Sequence, residues 1–339
     1  MFERNRRHTA SDWLARVPAS FFGIVLGLVW FGSSWRTASE AWTLPSLPGE
    51  LLSLSGVAVW LIITVLYALK WVLAPAAAFA EAEHAVQCCY VGLAGVATML
   101  VGLALLPYSL LLTEALFAAG FVFTFFFALW RTGRLWQGAR DPSASTAVLY
   151  LPTVAGSFVT AIVLGALGSR EAGQLAFGAG FFSWLAIESV LLHRFYTLPE
   201  MTAALRPTLG IQLAPPAVGS VAYLSVIGSV PDVFVHALLG YAILQLAIIL
   251  RLLPWILRQP FSASYWAFTF GLTSISTAGI RVASSSTDSV LEGLSVILFG
   301  ITNVGLIAIC VGSVWLLVQA RFLPAASIAS VTSNSGAPG

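Results

Sequence analysis

Between Gly293 and Val318 the chain carries no Asp, Glu, Lys or Arg. At about 1.5 Å per residue a helix over that stretch reaches about 39 Å, more than the roughly 30 Å hydrocarbon core of a bilayer. In lipid every backbone N–H and C=O must be satisfied within the segment, so the conformation is as constrained as the location. Composition extends the point to the whole chain. Of 339 residues 58% are apolar and 9% charged, against about 45–50% and about 25% in soluble domains. Length alone, at about 150 residues per domain, suggests two soluble domains. A globule so poor in charge could not cover its surface. The chain reads as an all-α polytopic membrane protein whose surroundings are membrane lipid.

Apolar runs broken by charge, proline or polar clusters give ten spans. They cover 17–36, 51–73, 85–106, 110–130, 147–167, 173–192, 207–227, 233–253, 261–280 and 290–318. Only Leu106-Pro107-Tyr108 divides the third from the fourth, and Pro107 marks a turn there. These spans place Arg4, Arg6, Arg7, Arg16, Lys70, Arg131, Arg134, Arg140, Arg194, Arg206, Arg251, Arg258 and Arg321 on one side. Arg36, Arg170 and Arg281 fall on the other. Wrong spans would have scrambled this partition, and by the positive-inside rule it puts both termini in the cytoplasm. Trp13, Trp35, Trp42, Trp71, Trp130, Trp136 and Trp255 lie near span ends, where an amphipathic ring suits the headgroup layer. No small-residue cleavage site follows the basic start, so it reads as a retained first helix rather than a signal peptide. The division is a cytoplasmic N-terminal tail (1–16), a ten-helix transmembrane domain (17–320) and a short disordered cytoplasmic tail (321–339), small and polar.

Several function classes fall away. A formal net charge of +2 with scattered arginines provides no basic stripe for nucleic acid. Cys88, Cys89 and Cys310 lie in apolar runs and read as small packed side chains, not a disulfide framework. The chain holds no phosphate loop, no zinc-type His/Glu pair and no G-x-S-x-G elbow, so neither cofactor, metal nor catalytic residue is expected. Gly178-Ala179-Gly180 sits inside an apolar run and reads as helix packing.

Odd and even spans differ. Odd interiors carry helix-loosening residues, among them Pro18, Gly23, Gly27, Gly92, Gly95, Gly102, Pro152, Gly156, Gly210, Pro215, Pro216, Gly219, Gly271 and Gly279. They also carry hydroxyls such as Ser20, Thr98, Thr153, Thr160, Thr273 and Ser276. Even spans are richer in Leu, Ile and Phe, as in 121–127 (FVFTFFF). Close helix packing accounts for any one such glycine. Their bias to alternate spans suggests instead five inner helices around an axis backed by five outer ones, since loosened backbone at membrane depth must be buried or face water. The pattern amounts to a weak helical-hairpin repeat.

A proton-coupled carrier normally has ionisable groups inside its spans. The odd interiors hold no Asp, Glu, Lys, Arg or His. On even spans Glu188 precedes His193 and Arg194 and is expected to pair with a cation near the cytoplasmic face. Glu114 and His236 lie near span ends, and Gln245 and Asn303 suit interhelical hydrogen bonds. A conduit of glycine, hydroxyl and aromatic groups fits ions that pass without being held.

The strings VPASFFGIVLG (17–27), LYLPTV (149–154), GAGFFSWLAIES (178–189), LGIQLAPP (209–216) and LRLLPWILRQPFSASYWAFTFG (250–271) resemble the tellurite-resistance/dicarboxylate transporter family. The similarity is to its TehA-like bacterial members, relatives of the plant guard-cell slow anion channel, over about residues 17–318. The resemblance implies ten helices as five hairpins in a quasi-five-fold arrangement around a central pore. It implies a homotrimer in the inner membrane, each subunit with its own pore. By position, Phe270 before Gly271 is the gating phenylalanine, and Gly23 lines the pore in the first helix. Gly95, where relatives carry a proline, Pro152, Pro215 and Gly271 complete the pore-lining set. Without the resemblance, Phe270 is one of 22 phenylalanines packed between helices.

The leading expectation is a channel passing small inorganic or carboxylate anions through a neutral pore closed by Phe270. The alternative is a proton-coupled carrier of tellurite or C4-dicarboxylates such as malate. A membrane enzyme is disfavoured, because no nucleophile–base or metal cluster stands near the loops. Reporters fused after Gly339 and after Arg170 should give cytoplasmic and periplasmic signals respectively. The same compartment for both would refute the ten-span reading.

Overall fold

The computed structural model describes residues 10–138, 141–228 and 230–324. The ends of both expected tails, with Arg4, Arg6, Arg7 and Arg140, lie outside the described residues. Among the described residues the regular structure is all helical, without strands. The principal helices are α1 (Phe22–Trp42), α2 (Leu47–Leu73), α3 (Leu93–Leu105), α4 (Leu110–Trp136), α5 (Gly156–Ala166), α6 (Arg170–Thr197), α7 (Ala214–Val226), α8 (Val233–Ile256), α9 (Thr269–Ala283) and α10 (Ser289–Val318). Eight segments are long and apolar enough to cross a membrane. The other two expected spans, α1 and α9, are helical but more polar. Ser33, Ser34, Arg36 and Thr37 interrupt one; Thr269, Thr273, Ser274, Ser276 and Thr277 stud the other.

Several edges differ from the sequence reading. The outer helices overrun their apolar cores: α2 starts at Leu47, α4 runs on to Trp136, and α6 spans Arg170–Thr197. Charged and aromatic residues at these ends still favour a helix, since lipid ends where helix propensity does not. A helix at Pro75–Glu83, unexpected from hydropathy, joins the second and third spans. Its Glu81 pairs with Lys70 at 2.7 Å, both nearly buried. Lys70 Nζ also donates to the Val17 carbonyl at 2.8 Å, and Glu81 Oε1 accepts from the Ala19 N–H at 2.7 Å. The pair thus clamps the start of the first span. Asp232 caps α8, accepting from the N–H groups of Phe234 and Val235. The Tyr223 hydroxyl first, and then these amides, hold its carboxyl below the usual carboxylate range.

Consecutive helices pack as pairs, α1 on α2, α3 on α4, α5 on α6, α7 on α8 and α9 on α10. The first helix of each pair also packs on its counterparts: α1 on α3, α3 on α5, α5 on α7, α7 on α9, and α9 back on α1. The contacts close a ring. Burial follows the same alternation, at 72–78% for the third, fifth and seventh spans but 17–39% for the second, fourth, sixth, eighth and tenth.

Glycine sets the spacing between ring and shell. A Cβ on Gly95 would lie 2.2 Å from Thr124 Oγ1 and 2.6 Å from the Gly120 carbonyl oxygen. One on Gly120 would lie 2.6 Å from the Gly95 carbonyl oxygen. The backbones of α3 and α4 therefore touch. Gly95→Ala and Gly120→Ala should each cost about 1–3 kcal/mol of stability, the usual penalty of overpacking. Gly300→Ala, with nothing within 4 Å of its added carbon, should leave thermal unfolding in detergent unchanged.

Candidate conduit

The ring helices do not begin as regular α-helices. A 3₁₀ turn at Ala19–Phe21 leads into α1, and Cys88–Val91 is separated from α3 at Gly92. A 3₁₀ turn at Ala147–Leu149 and a π turn at Leu151–Ala155 precede α5. Longer 3₁₀ stretches, Ala203–Leu213 and Ala263–Phe268, precede α7 and α9. Proline explains much of this. Pro152 and Pro207 lack the N–H that an α-helical ladder needs, and Pro215 and Pro216 are tolerated only because they open α7.

These five irregular lead-ins surround a cavity of about 120 Å³. Every ring segment contributes to its wall, with Ser20, Gln87, Tyr90, Tyr150, Thr208 and Ser264 as polar members among alanine, leucine and valine. At one end Ala204 and Ser264 are exposed. At the other the wall is Leu26, Phe158, Val218 and Phe270, at 1–7% exposure. None of the residues lining it is Asp, Glu, Lys, Arg or His. The Phe270 ring packs edge-to-face on Trp30, with centroids 5.8 Å apart.

The six candidate residues separate into two groups. Gly23, Pro215 and Phe270 lie on the cavity wall, and a Cβ on Gly23 would meet nothing within 4 Å. Gly95 faces α4 instead, as described above. Gly271 faces the seventh span, where an added Cβ would come 2.9 Å from the Leu213 side chain and 3.1 Å from the Ala214 nitrogen. Pro152 is buried in the π turn, which packs against α4 and α6. For these three the roles read from geometry are close packing and a break in the helix.

Glu188 requires a correction. Its carboxylate has no cation partner among the described residues. Oε2 accepts from the Tyr150 hydroxyl, Trp184 Nε1 (2.9 Å) and Gln212 Nε2 (2.9 Å). Oε1 accepts from the Tyr241 hydroxyl (2.7 Å) and Gln245 Nε2 (3.4 Å). Residues six apart on a helix point to different faces, so Arg194 cannot turn back to it. Arg194 lies over the Phe195 ring instead. Glu188 is 7% exposed, and Tyr150 connects it to the cavity wall. Sequence reasoning missed this cluster because its donors come from four separate segments. The one local signal was Trp184 a single turn before Glu188. Gln245 and Asn303 do make interhelical bonds, Asn303 accepting from Trp35 Nε1 at 3.0 Å. Glu114 and His236 are exposed.

Glu188→Ala would strand several buried donors, each at about 1–3 kcal/mol. Detergent-solubilised Glu188→Ala should therefore unfold well below the wild type, with Glu188→Gln intermediate because its carbonyl still accepts. Equal melting temperatures for all three would contradict the described network.

Comparison with known proteins points one way. A family model described as voltage-dependent anion channel (SLAC1) matches residues 16–320. A tellurite resistance protein TehA homolog of Haemophilus influenzae is 32% identical over 307 residues, covering 90% of this chain and 92% of that protein. An uncharacterized transporter of Methanocaldococcus jannaschii is 25% identical over 81% of this chain and 85% of its own. The S-type anion channel SLAH3 of Arabidopsis thaliana is 24% identical over 89% of this chain, which spans 48% of that longer protein.

Proposed function

Since the chain belongs to the SLAC1 family of voltage-dependent anion channels, we propose that it passes small anions passively through the ring of α1, α3, α5, α7 and α9. The observation that carries this reading is the cavity shared by all five lead-ins and lined without a charged side chain. An anion in it meets hydroxyls, one amide (Gln87) and apolar groups, which cannot hold it as a cationic site would, and weak holding is what conduction needs. Transport rather than catalysis is the activity.

Phe270 is the gate. It stands at the buried end of the cavity, braced by Trp30, and an aromatic ring there offers an ion nothing in place of its water. Gly23 and Pro215 line the path. Gly95, Pro152 and Gly271 set the helix spacing and breaks that shape it. The working unit is a homotrimer with one pore per subunit, in the inner membrane, with both termini cytoplasmic. The name of the Haemophilus relative extends to this chain as tellurite resistance arising from anion permeability.

One observation favours a second reading, a proton-coupled carrier of tellurite or C4-dicarboxylates. Glu188 is a buried carboxylate joined to the cavity wall through Tyr150, and such groups mark coupling sites in membranes. Planar-bilayer recording separates the two. Phe270→Ala should raise anion conductance strongly, with Phe270→Leu smaller, and the reversal potential should follow the anion gradient alone. A reversal potential that moves with a pH gradient would establish the carrier. Equal, low currents for wild type and both folded variants would remove Phe270 as the gate.

A further inference from the structure

The hydroxyls of α9 nearly all have partners. Thr269, Thr273 and Thr277 bond to carbonyls one turn back, and Ser276 pairs with Ser34 at 3.1 Å. Ser274 is fully buried and has none. The tryptophans show the same contrast. Trp35, Trp60, Trp184, Trp255 and Trp266 each donate the indole N–H to an acceptor. Trp30, 2% exposed, does not. Buried donors without an acceptor are rare, and each calls for an explanation such as an ion.

Helix register puts the two donors on the same side. On α1, Val29 and Gly32 face α2, Gly27 faces Thr269, and Gly23 and Leu26 face the cavity. At about 100° per residue, Trp30 falls between the directions of Gly23 and Leu26, one turn farther along. On α9, Thr269 faces α1, Gly271 faces the seventh span and Gly279 faces α10. Ala267 and Phe270 face the cavity, and Ser274 continues their line about 6 Å beyond Phe270. The Trp30 ring packs on Phe270 and Ser274 lies one turn past Phe270 on α9, so register directs both donors to the region beyond Phe270.

We propose that Trp30 Nε1–H and Ser274 Oγ–H form an anion site on the far side of Phe270. It takes a small monovalent anion of the halide or nitrate class. Two neutral donors replace part of such an ion's hydration, and the apolar surroundings strengthen each bond. A doubly charged oxyanion, which loses far more hydration, is excluded. The inference deepens the channel reading, on which it rests for how the ion arrives. It makes Phe270 a barrier with a binding site immediately behind it.

Two measurements test the site separately from the channel. Crystals of the wild-type protein grown in bromide should show an anomalous peak within hydrogen-bond reach of Trp30 Nε1 and Ser274 Oγ. The peak should vanish in the doubly substituted Trp30→Phe, Ser274→Ala protein, where the aromatic packing is kept. In channels opened by Phe270→Ala, Trp30→Phe should raise the chloride concentration that half-saturates conductance about tenfold, the effect of one lost bond to a charged group. Ser274→Ala should raise it less. Water between the two donors in place of bromide, or an unchanged half-saturation in conducting channels, overturns the site. Should Phe270→Ala carry no current, Phe270 is removed as the gate of the proposed channel while the bromide peak still decides the site.

Discussion

A backbone that leaves the α-helical ladder cannot face lipid, because each unsatisfied N–H or C=O there costs several kcal/mol. This constraint organises the molecule. Four of the five ring helices begin as 3₁₀ or π turns, and the fifth is broken at Gly92. All five breaks lie inside a shell of apolar helices of which only 17–39% is buried. The shell lets the ring be irregular, and the irregular lead-ins leave room for the cavity.

The polar groups follow from the same constraint. Two of the carboxylates that enter the fold are matched closely. Lys70 and Glu81 neutralise each other while fixing where the first span starts. Glu188 draws five neutral donors around one carboxylate, matching the acceptor-only inventory of the ionised group. Behind the cavity wall the Glu188 carboxylate is thus fully matched, while other buried groups, Gln212 Oε1 and Thr124 Oγ1 among them, have no partner. On the wall itself the groups are neutral, which suits transit better than retention. Trp30 and Ser274 are the unpartnered donors that helix register brings to the far side of Phe270.

Glycine serves two opposite ends in this architecture. At Gly95, Gly120 and Gly271 the missing side chain lets one helix touch another. At Gly23 it leaves open space beside the cavity. The residue type is the same, and what differs is the neighbour. A list of glycines in alternate spans therefore locates the ring without saying which members line a path.

The sequence by itself determined the class and much of the plan. Uncharged runs such as 293–318 require a membrane, and proline and glycine in alternate spans announced which helices would be inner, because helix-breaking residues act locally along the chain. The exact ends were less legible: α4 and α6 continue past their apolar cores, and Pro75–Glu83 is helical without being hydrophobic. The tertiary structure alone decided the contacts between distant segments. Glu188 read as half of a local ion pair, since a sequence displays only the neighbours along its own helix. Apart from Trp184 on its own helix, its donors are Tyr150, Gln212, Tyr241 and Gln245, up to 57 positions away. Phe270 likewise could be named only by resemblance, and its place at the buried end of a cavity, against Trp30, depends on α1 and α9 closing the ring. Periodicity is a property of the chain, whereas a cavity wall belongs to the assembled ring.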